Sequence, residues 1–337
     1  MENIAELQID KEADEAAPLI TASAGQGMKQ IWAIGGGKGG VGKTLVAANF
    51  AITLAKAGAQ VIVVDLDLGG ANMHTCLGVE MQGGGSTLTD LFSPDVKNLA
   101  DLSVPTLIPN LRLISGAQDT VNVANLPHAQ KQKILNKLRQ LPADYVILDL
   151  GAGTSFNTLD FFLAADVGIL TVLPEPTSIE NAYRFIKSAF YRKLKNIEHL
   201  FNARSYIDAT MNRKNDLGIK TPADLVRSLE EQYPEVGTNI RNEIAKFEFK
   251  LVLNQARTEA DSEIGFGIRN VCKKYFGMNI DYLGYLEYDS AVWQSVRRRK
   301  PLALEFPNSA LMPVIQRMVG HLVAEQAEKM KRNQLGL

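Results

Sequence analysis

The chain has 337 residues, of which 46% are hydrophobic and 22% charged, and its formal net charge is −1. This balance is ordinary for a globular protein and excludes an overall electrostatic attraction to nucleic acid or to a membrane, so any such contact has to come from a local patch. The two cysteines, Cys76 and Cys272, are far apart and form no CxxC pair, which argues against a disulfide framework or a zinc site.

The first 30 residues are predicted to be a flexible acidic leader outside the folded domain. Six acidic residues face a single lysine within the first 15 positions, and Pro18, Gly25 and Gly27 interrupt the segment that follows. A segment of this composition buries too little apolar surface to offset the entropy lost on ordering. Ile4, Leu7 and Ile9 offer only a weak apolar anchor for binding a partner.

A phosphate-binding loop is predicted at residues 37–44. The apolar run Ile31–Ile34 is typical of a buried strand, and a helix opens at Leu45. The residues between them fit the pattern G-x-x-x-x-G-K-[ST], in which glycines let backbone N–H groups close around phosphate oxygens at a helix N-terminus. The pattern places Lys43 on the β- and γ-phosphates of a nucleotide and the Thr44 hydroxyl on Mg²⁺.

A second lysine, Lys38, directly follows the first glycine of this loop. The stretch Lys38-Gly-Gly-Val-Gly-Lys-Thr44 resembles the deviant Walker A loop of the MinD/ParA family of P-loop ATPases. The resemblance implies that Lys38 reaches across an ATP-sandwiched homodimer to the other subunit's nucleotide, so that nucleotide binding and dimerisation become one event. The nucleotide-binding residues predicted in this way are Gly37, Lys38, Gly39, Gly40, Val41, Gly42, Lys43, Thr44, Leu45, Asn254 and Arg257.

Two further apolar runs end in acidic residues, Asp65 and Asp67 after the first run and Asp149 after the second. The carboxyl ends of parallel strands are where α/β proteins bind ligands. The segment that starts at Asp65 resembles the family's first switch, which implies that Asp67 orients the attacking water or helps to hold the metal. Asp149 is expected to hold Mg²⁺ through water, and the glycine-rich segment after it forms a hinged second switch. The predicted metal-binding residues are Thr44, Asp65, Asp67 and Asp149, and the predicted catalytic residues are Lys38, Lys43 and Asp67.

Residues 196–248 are predicted to form a small helical insertion. Thr221-Pro-Ala-Asp224 supplies an N-cap, a proline at the first helical position and an early acid. Such an insertion serves either partner recognition, support of a dimer, or no specific purpose. The apolar run Phe249–Asn254 then resumes the sheet, and the family resemblance implies that Asn254 recognises the adenine edge, because an amide both donates and accepts hydrogen bonds.

The densest basic run is Arg297–Lys300. Such a run can contact phosphates or anionic lipid, although a helix C-terminus favours cations in any case. Residues 326–337 form a C-terminal tail with few apolar anchors, so any membrane affinity is expected to be weak. No signal peptide and no apolar run of membrane-spanning length is present, and we expect a cytoplasmic protein, at most peripheral at a membrane or cell pole.

Apolar strands that alternate with helices predict an α/β fold, a doubly wound, mostly parallel sheet flanked by helices, as in P-loop NTPases. One ATPase domain is expected at residues 31–325. Together the loop, the first switch and the stretch Val-Arg-Arg-Arg-Lys-Pro-Leu most resemble the MinD and FlhG branch of the family, whose FlhG members govern flagellar number and placement.

Three functions follow from these patterns. The first is a slow, partner-stimulated ATPase that binds ATP and Mg²⁺, dimerises, and positions a cellular assembly such as a flagellum or a division site through a protein partner. The second is a ParA-type partition ATPase that binds nonspecific DNA, for which Arg297–Lys300 and the basic helix at 184–195 are the only candidate surfaces. The third, an iron–sulfur carrier, requires paired cysteines that this chain does not have.

Overall fold

The computed structural model describes residues 29–68, 70–81, 86–116, 126–197, 219, 221–245 and 247–335. The predicted leader, apart from its last two residues, and residues 198–218 of the predicted insertion lie outside these ranges.

An eight-stranded sheet forms the centre of the molecule. Its spatial order is β3-β4-β2-β5-β1-β6-β7-β8, and all neighbouring strands are parallel except β3, which runs antiparallel to β4. The predicted fold is therefore confirmed. In chain order the strands are β1 Gln30–Gly35, β2 Val61–Leu66, β3 Val104–Pro105, β4 Leu111–Ile114, β5 Tyr145–Leu150, β6 Val167–Val172, β7 Phe249–Ala256 and β8 Ile280–Glu287.

Helices cover both faces of the sheet. They are α1 Lys43–Lys56, α2 Met73–Cys76, α3 His128–Leu138, α4 Phe156–Ala164, α5 Pro176–Ile197, α6 Pro222–Gln232, α7 Pro234–Ala245, α8 Glu259–Phe276, α9 Ser290–Arg297, α10 Leu302–Glu305 and α11 Leu311–Leu335. Two 3₁₀ turns lie at Leu88–Phe92 and Leu99–Leu102. No described helix is both long and apolar enough to cross a membrane.

Alternation along the strands divides the core into two layers. On β1, Trp32 and Ile34 pack towards α1, α10 and α11, whereas Ile31 and Ala33 pack towards α3, α4, α5 and α8. Because both faces are covered, the central strands are predominantly apolar, as the apolar runs in the sequence indicated. Since β1 pairs with β5 on one side and with β6 on the other, the winding of the sheet reverses at β1.

The described part of the predicted insertion consists of α6 and α7. A capping box fixes the start of α6, because the Asp224 backbone N–H donates to the Thr221 hydroxyl at 3.1 Å and the Asp224 carboxylate accepts from the Thr221 N–H at 2.9 Å. Leu229 and Ile240 are fully buried in the same core layer as α5 and α8. These two helices therefore extend the main core. The last helix, α11, continues without a break through the boundary predicted at residue 325.

A buried ion network ties three helices of one layer together. Asp160 of α4 accepts hydrogen bonds from Lys131 of α3 and from Arg192 of α5, the latter through Nε at 2.6 Å and Nη2 at 2.8 Å. Lys131 is itself buried. Although burial alone would raise it, the pKa of Asp160 is lowered, because hydrogen bonds from Arg192 and Lys131 favour the carboxylate.

We expect Asp160→Asn to lower the free energy of unfolding by about 3 kcal/mol, because the substitution leaves the Lys131 ammonium buried without a counter-ion. Since the folded-state pKa of Asp160 is lowered, its contribution is present above the unfolded pKa of about 3.9 and is lost as the pH falls through the folded value. Urea unfolding at pH 7 and pH 3 measures both effects. A stability difference between variant and wild type that does not shrink at pH 3 would contradict this explanation.

Candidate active site

The glycine-rich segment between β1 and α1 lies at the carboxyl end of the central strand, where the winding reverses. Open α/β sheets bind ligands at this position. Gly40 and Gly42 adopt positive φ angles of 78° and 93°, and Gly42 is the N-cap of α1. Lys43, Thr44 and Leu45 form the first turn of the helix, so the backbone N–H groups of a helix N-terminus face the loop.

Two other glycines of this segment differ in what surrounds them. A Cβ at Gly37 would lie 2.1 Å from the Asn181 carbonyl oxygen, so glycine is required there for the loop to pack on α5. A Cβ at Gly39 would meet no protein atom within 4 Å. The packing of the chain itself does not require glycine at position 39, whereas close approach of a ligand such as a phosphate does.

Asn254 supports the loop from beneath. The side chain is buried, and its Nδ2 donates to the Val41 carbonyl oxygen at 2.9 Å. A Cβ at Gly42 would lie 2.1 Å from the same Nδ2 atom. This bracing contact was not predicted from the sequence, which indicated only recognition of a base for Asn254.

We expect Gly42→Ala to cost at least 2 kcal/mol of stability, about 1–2 kcal/mol for the left-handed backbone and the remainder for displacing Asn254. Gly58→Ala is the matched control, because Gly58 has a φ of 97° but a Cβ there would meet nothing within 4 Å. Urea unfolding of both variants separates the two contributions. Equal losses in the two variants would show that the contact with Asn254 has no energetic weight.

Two buried carboxylates lie side by side next to the loop. Asp65 of β2 and Asp149 of β5 are register partners in the sheet, and both are fully buried. Burial raises the pKa of Asp65 to about 6, against hydrogen bonds from the backbone N–H groups of Met73 and Asp67, each at 3.1 Å. Burial, and then the charge of Asp65, raises the pKa of Asp149.

The oxygens of Asp149 have no hydrogen-bond partner within the described residues. The nearby Thr44 hydroxyl and Lys43 ammonium lower the pKa of this carboxyl but do not outweigh its burial. A buried carboxylate without partners is costly unless a cation is bound. Two carboxylates and a hydroxyl are oxygen donors of the kind that Mg²⁺ prefers, so these residues fit a magnesium ion.

Both predicted switches adjoin the loop. Asp67 follows β2, and its carboxylate lies beside Gly151, where an added Cβ would be 3.2 Å from Oδ1. The Gly153 N–H donates to the Gly36 carbonyl oxygen at 3.1 Å, which ties the segment after β5 to the start of the loop. The structure thus brings the predicted metal and catalytic acids together around one loop.

Lys38 lies at the outer edge of the loop, with 43% of its side chain exposed. Its Nζ is 3.3 Å from the Thr177 hydroxyl and 3.8 Å from a carboxylate oxygen of Glu175, both at the start of α5. Arg257 directly follows β7 and stacks on the exposed ring of Tyr288, with 4.5 Å between Cζ and the ring centroid.

Comparisons with known proteins agree with this arrangement. A family model described as "AAA domain" matches residues 28–202, which is more than half of the chain. The antiactivator FleN of Pseudomonas aeruginosa is 27% identical over 282 residues, covering 83% of this chain and 81% of that protein. The flagellum site-determining protein YlxH of Helicobacter pylori is 27% identical over 307 residues, covering 89% of this chain and 84% of that protein.

A solved structure shares the fold. It is the septum site-determining protein MinD of Pyrococcus horikoshii complexed with Mg-ADP, which aligns with a TM-score of 0.57 at 20% identity over 87% of this chain and 95% of that one. The family match, the relatives and the fold agree with the loop sequence that first indicated the family. The chain belongs to the AAA domain family and, within it, to the MinD/ParA group of deviant Walker A P-loop ATPases, on the FlhG-like branch.

Proposed function

We propose that this chain is an ATP-dependent switch that dimerises with ATP and Mg²⁺, engages a protein partner to position or regulate a cellular assembly, and resets by hydrolysing ATP to ADP and phosphate. The observation that carries the proposal is the buried Asp149 carboxylate, without hydrogen-bond partners among the described residues, directly beside a phosphate-type loop. The names of the similar proteins, which determine flagellum or septum sites or act as an antiactivator, support a role in placement or regulation.

The loop residues would bind the phosphates, with Lys43 on the β- and γ-phosphate oxygens and the N-terminus of α1 behind them. Bound Mg²⁺ would neutralise charge on the phosphate oxygens. Thr44, Asp65 and Asp149 would hold it, directly or through water. Asp67, next to the second switch, would orient the water whose oxygen bonds to the γ-phosphorus as the bond to the β-phosphate oxygen breaks.

Dimerisation would require the Lys38 side chain to give up its contacts within its own subunit. Its contacts with Thr177 and Glu175 are long and partly exposed, and such contacts are worth less than about 1 kcal/mol. The Lys38 ammonium group can therefore move to the nucleotide of a second subunit at little cost in free energy. Because the transferred charge stabilises the dimer only when a triphosphate is present, the switch would respond to the nucleotide state.

A protein partner is favoured over DNA. The basic residues of α5 are largely neutralised within the chain, because Arg184, Arg192 and Lys193 pair with Glu180, Asp160 and Glu243. In the other basic run, Arg298 and Lys300 both pair with Glu305. A surface that coats DNA needs cations free to contact phosphates. As a placement factor the chain would act at a membrane or cell pole through its partner.

We expect Gly39→Ala to leave the stability of the fold unchanged and to weaken ATP binding at least tenfold, because its methyl group would enter the space that a phosphate approaches. Gly267→Ala on α8 is the control, since a Cβ there also meets nothing within 4 Å. Urea unfolding and calorimetric titration with ATP and Mg²⁺ measure the two properties. Wild-type ATP affinity in Gly39→Ala would argue against this loop as the phosphate site.

A further inference from the structure

A cleft of about 940 Å³ lies on the side of the molecule that carries α2 and α9. Its walls are α2 with the turn after it, the loop after β3, and the segment after α9, and none of the predicted nucleotide or metal residues lines it. The walls are tightly joined, because a Cβ at Gly78 would lie 3.0 Å from the Arg299 carbonyl oxygen. Leu107, one of the lining residues, is 62% exposed.

The lining is basic and aliphatic. Arg298, Arg299 and Lys300 line the cleft together with one acid, Glu80. Arg298 and Lys300 share Glu305, but Arg299 forms no ion pair with any residue that the structure describes. Burial and the charge of Arg299 lower the pKa of His74, whose buried Nδ1 has no hydrogen-bond partner among the described residues.

These features indicate the chemistry of an occupant. Aliphatic side chains and cations suit a peptide that combines carboxylates with Ile or Leu. The lining residues include no Phe, Tyr or Trp, and His74 is their one aromatic side chain, which disfavours a nucleotide base as the occupant. The first 15 residues of the chain have this chemistry, with six acids, one lysine and the aliphatic residues Ile4, Leu7 and Ile9.

The segment between residue 15 and the start of β1 is long enough to reach the cleft. Lys29 precedes β1, and the loop that carries Leu107 precedes β4, so both lie at the amino end of the parallel strands. The edge strand β3 is four strand spacings from β1, or about 19 Å. The thirteen residues from 16 to 28 span up to about 45 Å when extended, which allows for crossing the helix layer as well.

We propose that the acidic segment of residues 2–15 docks in the cleft between α2, the loop after β3 and residues 298–300 of the same chain. The docked segment would also be linked to the first switch through α2, which forms one wall of the cleft. The backbone N–H of Met73, the first residue of α2, donates to the Asp65 carboxylate. This second consequence rests on the proposed function, whereas docking itself does not.

The test uses the full chain without nucleotide and a fluorescein-labelled peptide of residues 1–16 as the probe. One variant neutralises the leader through Glu2→Gln, Glu6→Gln, Asp10→Asn, Glu12→Gln, Asp14→Asn and Glu15→Gln. We expect this variant to bind the peptide at least fivefold more tightly than the wild type, because its own leader no longer competes. Adding Arg299→Glu is expected to weaken that binding about tenfold.

Arg269→Glu in the same background is the matched control. Arg269 is an exposed arginine of α8 in the other helix layer, and its described contact is with the Phe266 ring. Three results would overturn the proposal: no peptide binding to the neutralised variant, equal peptide binding by wild type and neutralised variant, or an equal loss of binding in Arg299→Glu and Arg269→Glu. Circular dichroism of each variant establishes that the fold is intact, and nucleotide binding is measured separately.

Discussion

A chain that carries Asp67→Ala is expected to bind ATP with wild-type affinity and to hydrolyse it about 100 to 10,000 times more slowly. The physical reason is position, because the Asp67 carboxylate lies beside Gly151 at the edge of the loop, where it can orient a water without holding the phosphates. Release of phosphate in single-turnover assays and calorimetric ATP titration measure the two properties.

Asp95→Ala is the control for Asp67→Ala, since Asp95 is an exposed acid outside the site. If Asp67→Ala lost ATP affinity and kept its rate of turnover with bound ATP, Asp67 would be a binding residue, and the attacking water would have to be oriented by another group.

The second large effect is expected for Lys43→Ala, which should weaken ATP binding about 100-fold through the loss of charge-assisted hydrogen bonds to two phosphate oxygens. Lys43 is buried in the first turn of α1, and its charge lowers the pKa of Asp149. Removing the Lys43 ammonium group therefore also removes a positive charge that favours the ionised form of Asp149.

Lys38→Ala provides the matched comparison within the same loop. Because the Lys38 ammonium group contacts α5 at the outer edge of the loop, its removal should leave ATP binding by a single subunit within about threefold of the wild type. Calorimetric titration of the two variants gives the answer. A loss of ATP affinity in Lys38→Ala as large as that in Lys43→Ala would mean that Lys38 acts in its own subunit.

Features that depend on local sequence could be predicted. Continuous apolar runs indicated the central strands because a parallel sheet buries both faces, and the Thr221–Asp224 capping box marked the start of α6. The glycine spacing and Lys38 indicated the family, which the comparisons confirm.

Features that depend on contacts between remote segments were not predictable in this way. The hydrogen bond from Asn254 to Val41 joins residues 213 positions apart, and no local pattern indicates that an amide near the end of β7 supports the loop after β1. The network of Lys131, Asp160 and Arg192 similarly requires knowing which faces of three helices meet. The assignment of Asn254 to the adenine edge remains a prediction, since its Nδ2 is engaged with the loop.

The most direct test of the central claim is the mass of the Asp67→Ala chain in sedimentation velocity with Mg²⁺ and either ATP or ADP. This variant is expected to retain ATP, so the proposed switch predicts a dimer with ATP, a monomer with ADP, and a monomer in both when Lys38→Ala is added. A mass that is the same with ATP and ADP, or a dimer with ATP that persists without Lys38, would contradict the proposal that this chain is a nucleotide-dependent dimerising switch.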